Sequence, residues 1–175
     1  MVDGLTASVP YCGVPVVGRE HFSHAGLKPR FLMAVSDPKA KARVCPELEQ
    51  AGWTAAEYVH ESVLIGTEVG IGKGMIACPF CTISSNAMIG DYVLINGSTL
   101  VGHDVRIGDY SSLLGRVSLN GGVVLGAGVL AGAGAIVYPG KKIGAGAVLG
   151  MGSVVFRNVA AGVTVAGNPA KTLSG

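Results

Sequence analysis

The sequence predicts a mainly β chain, a hexapeptide-repeat parallel β-helix with a small α/β unit in front of it. Two observations carry that prediction. The first is composition: 28 of 175 residues are glycine, 49% are hydrophobic and only 14% are charged. An ordinary globular domain has about 7% glycine and about 25% charged residues. So much glycine beside only 8 prolines excludes collagen and asks for many tight turns. The second observation is a period. From residue 65 onward one position in six is aliphatic or alanine: Ile65, Ile71, Ala77, Ile83, Ile89, Ile95, Val101, Ile107, Leu113, Leu119, Leu125, Ala131, Val137, Ile143, Leu149, Val155. At this apolar content chance gives such a run about once in 10⁵ trials.

Taken in chain order, residues 14–17 read as a strand, 20–26 as a short helix and 31–35 as a second apolar strand. Ser36-Asp37-Pro38 then opens a polar helix over 39–51, with proline suited to its first turn and Asp37 or Ser36 to its cap. Tyr58-Val59 leads into the repeat. Strand, helix, strand, helix, strand is an α/β pattern too short for a doubly wound domain. We therefore divide the chain into a truncated α/β domain, 1–60, and a β-helix with its terminal cap, 61–175.

Within each hexad a second small or β-branched residue lies two places before the aliphatic one, as in Val105-Arg106-Ile107. Alternation along a strand puts positions two apart on one face, so both series point inward. The residue after the aliphatic is usually small or turn-forming, such as Gly102, Gly108 or Asn120, and is expected to relax the backbone at a corner. A helix would spread these apolar positions around its surface. Three hexads make one triangular coil of 18 residues, so the uninterrupted run supplies roughly five coils, each burying the next.

Charge and motif content narrow the function classes. Net charge is +2 without a basic block, so nucleic acid is not an expected partner. The N-terminus lacks a basic and an apolar signal region, and no run of 18 apolar residues suggests a membrane span. A cytoplasmic protein is the expectation. Cys78-Pro-Phe-Cys81 is the sole CxxC among four cysteines. No second pair or helix start accompanies it, so it reads as structural. His21 and His24 are one helical turn apart without a third ligand, and no metal site is expected. His60 reads as structural or surface.

One segment stands apart from the aliphatic background, "LVGHDVRIG" at residues 100–108. From spacing alone His103 and Asp104 are either an outward corner pair or a site. The chemical case is that imidazole titrates near neutrality and suits a general base, while a neighbouring carboxylate holds its tautomer. His103 is also the only histidine between residues 61 and 175.

The chain resembles the hexapeptide-repeat acyltransferases. More narrowly, it is similar to the sugar acetyltransferases that include sialic-acid O-acetyltransferases and nucleotide-amino-sugar N-acetyltransferases. "FLMAVSDPKAKARV", "LINGSTLVGHDVRIGDYSSL", "LNGGVVLGAGVLAGAGAIVYPGKKIGAGAVLGMGSVV" and "VAGNPAK" carry the resemblance, with "VGHDVRIGD" its specific part. It implies a left-handed β-helix, a homotrimer with sites between subunits, and acetyl-CoA as donor. The implied acceptor is a sugar amine or hydroxyl, free or nucleotide-linked. His103 would be the base and Asp104 its partner. Gly121, Ala133 and Met151 would line the thioester and pantetheine channel, and Lys171 would meet the nucleotide phosphates of CoA or be a solvated tail lysine. Asn96 would orient the acceptor or be a turn-forming corner residue.

Two departures from the pattern follow. The chain starts after the glycine-rich strand-turn-helix that cradles nucleotide phosphates in the family. Ser112 stands where the family often has a second histidine, on the substrate side. Outward Val124, Leu130 and Val148 are apolar enough to suggest subunit contacts. A zinc hydrolyase on the same scaffold would need three histidine ligands, which one β-helix histidine does not supply. A trimeric scaffold without activity is the other alternative.

Overall fold

The computed structural model describes residues 28–173; the expected strand at 14–17, the helix at 20–26, His21, His24 and Cys12 lie outside them. The first element is β1 (Arg30–Phe31), followed by α1 (Pro38–Gln50) and β2 (Thr54–Ala55). β1 and β2 pair in parallel, Arg30 opposite Thr54, so the three make one β-α-β unit. Asp37 is the cap: its carboxylate accepts the Lys39 N–H at 3.0 Å, and Pro38 occupies the first turn, where its missing N–H costs nothing. The strand expected at 31–35 stops at Phe31. Among the described residues its partner is β2, which is two residues long, and Leu32 and Val35 are exposed.

From Tyr58 the chain winds into a triangular parallel β-helix of two-residue strands. The first face runs from Tyr58–Val59 through Ile76–Ala77, Leu94–Ile95, Ser112–Leu113, Leu130–Ala131 and Val148–Leu149 to Thr164–Ala166. The second face runs from Leu64–Ile65 to Val154–Val155 and the third from Gly70–Ile71 to Lys142–Ile143. Successive strands of a face are 18 residues apart, as Leu100 opposite Ser118 shows, until the last step, where Val148 lies opposite Thr164, 16 residues on. Corner I joins the first face to the second, corner II the second to the third, and corner III the third to the next coil's first.

The expected inward series is the core. Ile95, Val101, Leu113, Leu119, Ala131, Val137 and Leu149 are completely buried, as are Val93, Val105, Val123 and Val129 of the companion series. Ile65 and Ile71, in the first coil with no coil beneath, remain 42% and 40% exposed. The period therefore reports stacking, and it fails only where the stack begins.

The corners depart from the sequence expectation in one respect. The strained residue is not the small one after each aliphatic but the one two places later. Glu68, Phe80, Asn86, Tyr92, Ser98, Asp104, Tyr110 and Arg116 all have φ between 56° and 62°, and glycine takes over that position from Gly122 onward. The small residue is needed for a different reason. A Cβ on Gly108 would stand 2.5 Å from the Ala127 nitrogen one coil on, so close coil-to-coil approach excludes side chains there.

α1 seals corner III. Lys41 is fully buried, and its ammonium donates to the carbonyls of Tyr92 at 2.9 Å and Ser111 at 3.0 Å. Glu49 accepts from the Tyr92 hydroxyl and from Lys73, both at 2.6 Å. The Tyr92 ring stacks between Phe31 and Tyr110, with centroids 6.1 and 5.5 Å away. At the other end the Thr164–Ala166 strand turns through Gly167-Asn168-Pro169-Ala170 into an antiparallel partner, Lys171–Thr172, which is the exit expected from the "AGNPAK" segment.

Candidate active site

Corner II holds the candidate His103–Asp104 pair. Leu100–Val101 ends the second face, and the turn Gly102-His103-Asp104-Val105 carries the chain to Arg106–Ile107 on the third. Val101 and Val105 are pinned in the core and Gly102 is buried between coils, which leaves His103 and Asp104 to face outward. His103 and Asp104 are accordingly exposed, with side-chain exposures of 71% and 57%.

The pair is hydrogen-bonded through His103 Nδ1 and Asp104 Oδ2 at 2.7 Å. A carboxylate can only accept, so the proton sits on Nδ1 and the Nε2 lone pair is left for a substrate. Asp104's other oxygen, Oδ1, accepts from Asn86 Nδ2 at 3.3 Å, one coil below at the same corner. The bonds from His103 and then Asn86 hold the Asp104 carboxyl below its usual range, which keeps it ionised and able to stabilise an imidazolium.

Gly121 occupies the same corner one coil above. A Cβ there would fall 2.6 Å from His103 Cε1 and in harder contact still with Nε2. The imidazole therefore lies over the Gly121 Cα, and only glycine leaves it room. Gly121 N–H donates to no carbonyl among the described residues. Corner II thus offers a base with a fixed tautomer and a buttressed carboxylate over a glycine backbone. That is the equipment for deprotonating a nucleophile.

The other candidates lie elsewhere in the chain. Asn96, Ala133 and Met151 are on corner I, at the opposite edge of the second face, and all three are exposed. Asn96 turns its Oδ1 back on Gly97 N–H at 2.7 Å, the corner-forming role. Ser112 is on the first face, completely buried, and its hydroxyl has no hydrogen-bond partner. Lys171 is exposed at the C-terminal cap, where a cavity of about 540 Å³ is lined by Phe156, Arg157, Asn158, Pro169, Lys171 and Thr172. Arg157 sits on corner II, two coils above Gly121's, so this cationic cavity shares an edge with His103.

Two residues escaped the sequence reading, Asn86 and Arg157. The 18-residue coil was the signal that would have found the first: Asp104 minus one coil is Asn86, just as His103 plus one coil is Gly121. Burial raises the Cys78 and Cys81 thiols, and Cys81 Sγ points to the Asn96 carbonyl at 3.2 Å. His60 is tied to Ser62, Nδ1 to Oγ 2.9 Å. Among the described residues no group of three or more His, Cys, Asp or Glu is placed to hold a metal, and no helix is long and apolar enough to cross a membrane.

Known proteins share both sequence and architecture with the chain. GDP-perosamine N-acetyltransferase of Escherichia coli O157:H7 is 35% identical over 110 residues, 62% of this chain and 50% of that protein. The chain thus aligns with half the length of that curated relative. WeeI from Acinetobacter baumannii AYE superposes with a TM-score of 0.94 at 32% identity, over 98% of this chain and 84% of WeeI. Perosamine N-acetyltransferase from Caulobacter crescentus, with one histidine replaced by asparagine and with CoA and GDP-perosamine bound, gives 0.89 at 30% identity. That match covers 97% of this chain and 82% of the other. No family profile matches the chain.

Proposed function

This chain belongs to the left-handed β-helix, hexapeptide-repeat nucleotide-amino-sugar N-acetyltransferases, and we propose that it transfers acetyl from acetyl-CoA to the amine of a nucleotide-linked amino sugar. The observation that carries the reading is the hydrogen-bonded His103–Asp104 pair standing over Gly121. CoA and GDP-perosamine bound together in the Caulobacter relative support the donor and the class of acceptor.

His103 Nε2 takes a proton from the acceptor amine as the nitrogen attacks the thioester carbonyl. Asp104 stabilises the imidazolium that forms. The tetrahedral oxyanion calls for hydrogen-bond donors in the closed site. Collapse breaks the C–S bond, the amide remains, and the imidazolium returns its proton to the departing CoA thiolate. No acyl-enzyme is needed.

The chain works as a homotrimer in this reading. His103 and Gly121 lie on corner II and Ala133 and Met151 on corner I, so a pantetheine channel lined by all four is built from two subunits. Second-face Leu64, Leu100 and Ile136 are 68%, 40% and 41% exposed, an apolar strip of the kind that subunit contacts cover. Val124 on the third face, and Leu130 and Val148 on the first, are half-buried in the single chain and lie outside this strip. Arg157 and Lys171 then offer positive charge to the phosphates of CoA beyond the channel. Soluble cytoplasmic residence accords with a CoA-dependent reaction.

Calorimetry with acetyl-CoA, on protein whose mass has been fixed by light scattering, tests the donor site. Release of free CoA in the presence of GDP-perosamine, and of other nucleotide-linked amino and hydroxy sugars, tests the transfer. Binding with amine-dependent CoA release is expected. A folded trimer that binds no acetyl-CoA would leave a β-helical scaffold instead.

A further inference from the structure

We infer that Asn86 is a positioning residue for the transfer, acting on His103 through Asp104; this rests on His103 being the base. Asp104 and His103 are both largely solvent-exposed, and an exposed pair on its own is loosely held and readily exchanged for water. The structure adds a third member. Asn86 Nδ2 donates to Oδ1 of Asp104 while His103 Nδ1 donates to Oδ2. Each carboxylate oxygen therefore has its own donor, and rotation about the Cβ–Cγ bond would break both bonds together.

The repeat explains why Asn86 can do this. Asn86 and Asp104 occupy the same corner position in adjacent coils, with φ of 60° and 59°. Asn86 N–H is tied to the Thr67 carbonyl at 3.0 Å and Asp104 N–H to that of Ser85 at 3.1 Å. Both side chains thus leave rigid, parallel backbones spaced by the strand separation, about 4.8 Å. At this spacing an amide spans to a carboxylate, whereas a second carboxylate would repel it. Asparagine also tolerates the left-handed backbone well. Asn86 therefore satisfies two demands that can be separated by mutation, backbone shape and hydrogen-bond donation.

Asn86→Gly keeps the backbone shape and removes the donor; Asn86→Gln keeps an amide one methylene longer. Long-range ¹⁵N–¹H correlation spectra of the holo-trimer, with His103 assigned from a His103→Gln sample, report the ring tautomer without recourse to activity. Wild type is expected to show the Nδ1–H form. Asn86→Gly should show a mixture with the Nε2–H form and lower kcat about tenfold, with KM for acetyl-CoA and the unfolding midpoint unchanged. Asn86→Gln should recover part of both effects. An Asn86→Gly protein with the wild-type tautomer and wild-type kcat would overturn the assignment. If no acceptor supports turnover even in wild type, the acetyltransferase reading fails instead, and the tautomer shift alone decides whether Asn86 holds the pair.

Discussion

Corners II and III are built by one backbone and put to opposite uses. Asp104 and Tyr110 hold the same place in successive hexads and nearly the same φ, 59° and 60°. Asp104 stands in solvent beside His103. Tyr110, with Tyr92 one coil below, lies against the β-α-β unit, where Lys41, Glu49 and Phe31 engage the corner. The repeat fixes where a corner side chain stands; what packs over the corner decides whether it becomes a site or a core. Variants at corner II should therefore change turnover without changing stability, and variants at corner III should do the reverse.

Short of removing the imidazole itself, Gly121→Ala should show the largest effect. Its methyl must push the imidazole off the Gly121 Cα, and displacement of that kind costs about 10²-fold in turnover. The unfolding midpoint should stay at the wild-type value, because both Gly121 and His103 face outward. Full turnover in this variant would mean that the working ring lies elsewhere.

Lys41→Ala should act in the opposite sense. It opens a hole under α1 and removes the donor from the Tyr92 carbonyl, for a loss of about 2–3 kcal/mol in urea unfolding. Turnover per folded molecule should be unchanged at low temperature. A fall in turnover with no loss of stability would break the division between the two corners.

The pH dependence of stability gives a smaller effect at the same corner. Burial lowers the Lys41 pKa to about 8 from an ordinary 10.5. Between those values the unfolded chain binds more protons than the folded one, so stability rises with pH. Cys45 opposes it from about pH 9, since burial raises that thiol to about 11 and the folded chain then holds the extra proton. The window for Lys41 alone is therefore pH 8 to 9, with an expected gain of about 1 kcal/mol. Urea titrations of wild type and Lys41→Met should differ by that slope. The smallest change is Tyr92→Phe, which deletes the hydroxyl bond to Glu49 for about 1 kcal/mol and should leave turnover alone.

A period is legible in a sequence and a single contact is not. The inward series stands out because each stacked coil repeats the same burial, from Ala77 to Val155, and His103 stands out against that background. Gly121 came from the resemblance, although the 18-residue coil alone sets it over His103. Asn86 was passed over because a polar residue at a turn is unremarked until its neighbour one coil away is considered. Lys41 was invisible for a related reason. A lysine in a polar helix ordinarily faces water, and only the docked corner shows that two carbonyls receive it. Ser112, read as a stand-in for a histidine, is enclosed in the single chain, and nothing in its hexad distinguishes it from an exposed outward serine.

The measurement that tests the central claim most directly compares wild type with His103→Ala. Acetyl-CoA affinity by calorimetry and acetyl transfer to GDP-perosamine would be followed on the same preparations. The account predicts equal affinity and a turnover loss of at least about 10²-fold in the variant, the usual contribution of a general base. His103→Ala transferring acetyl at the wild-type rate would contradict it, and corner II would then be a turn and not a site.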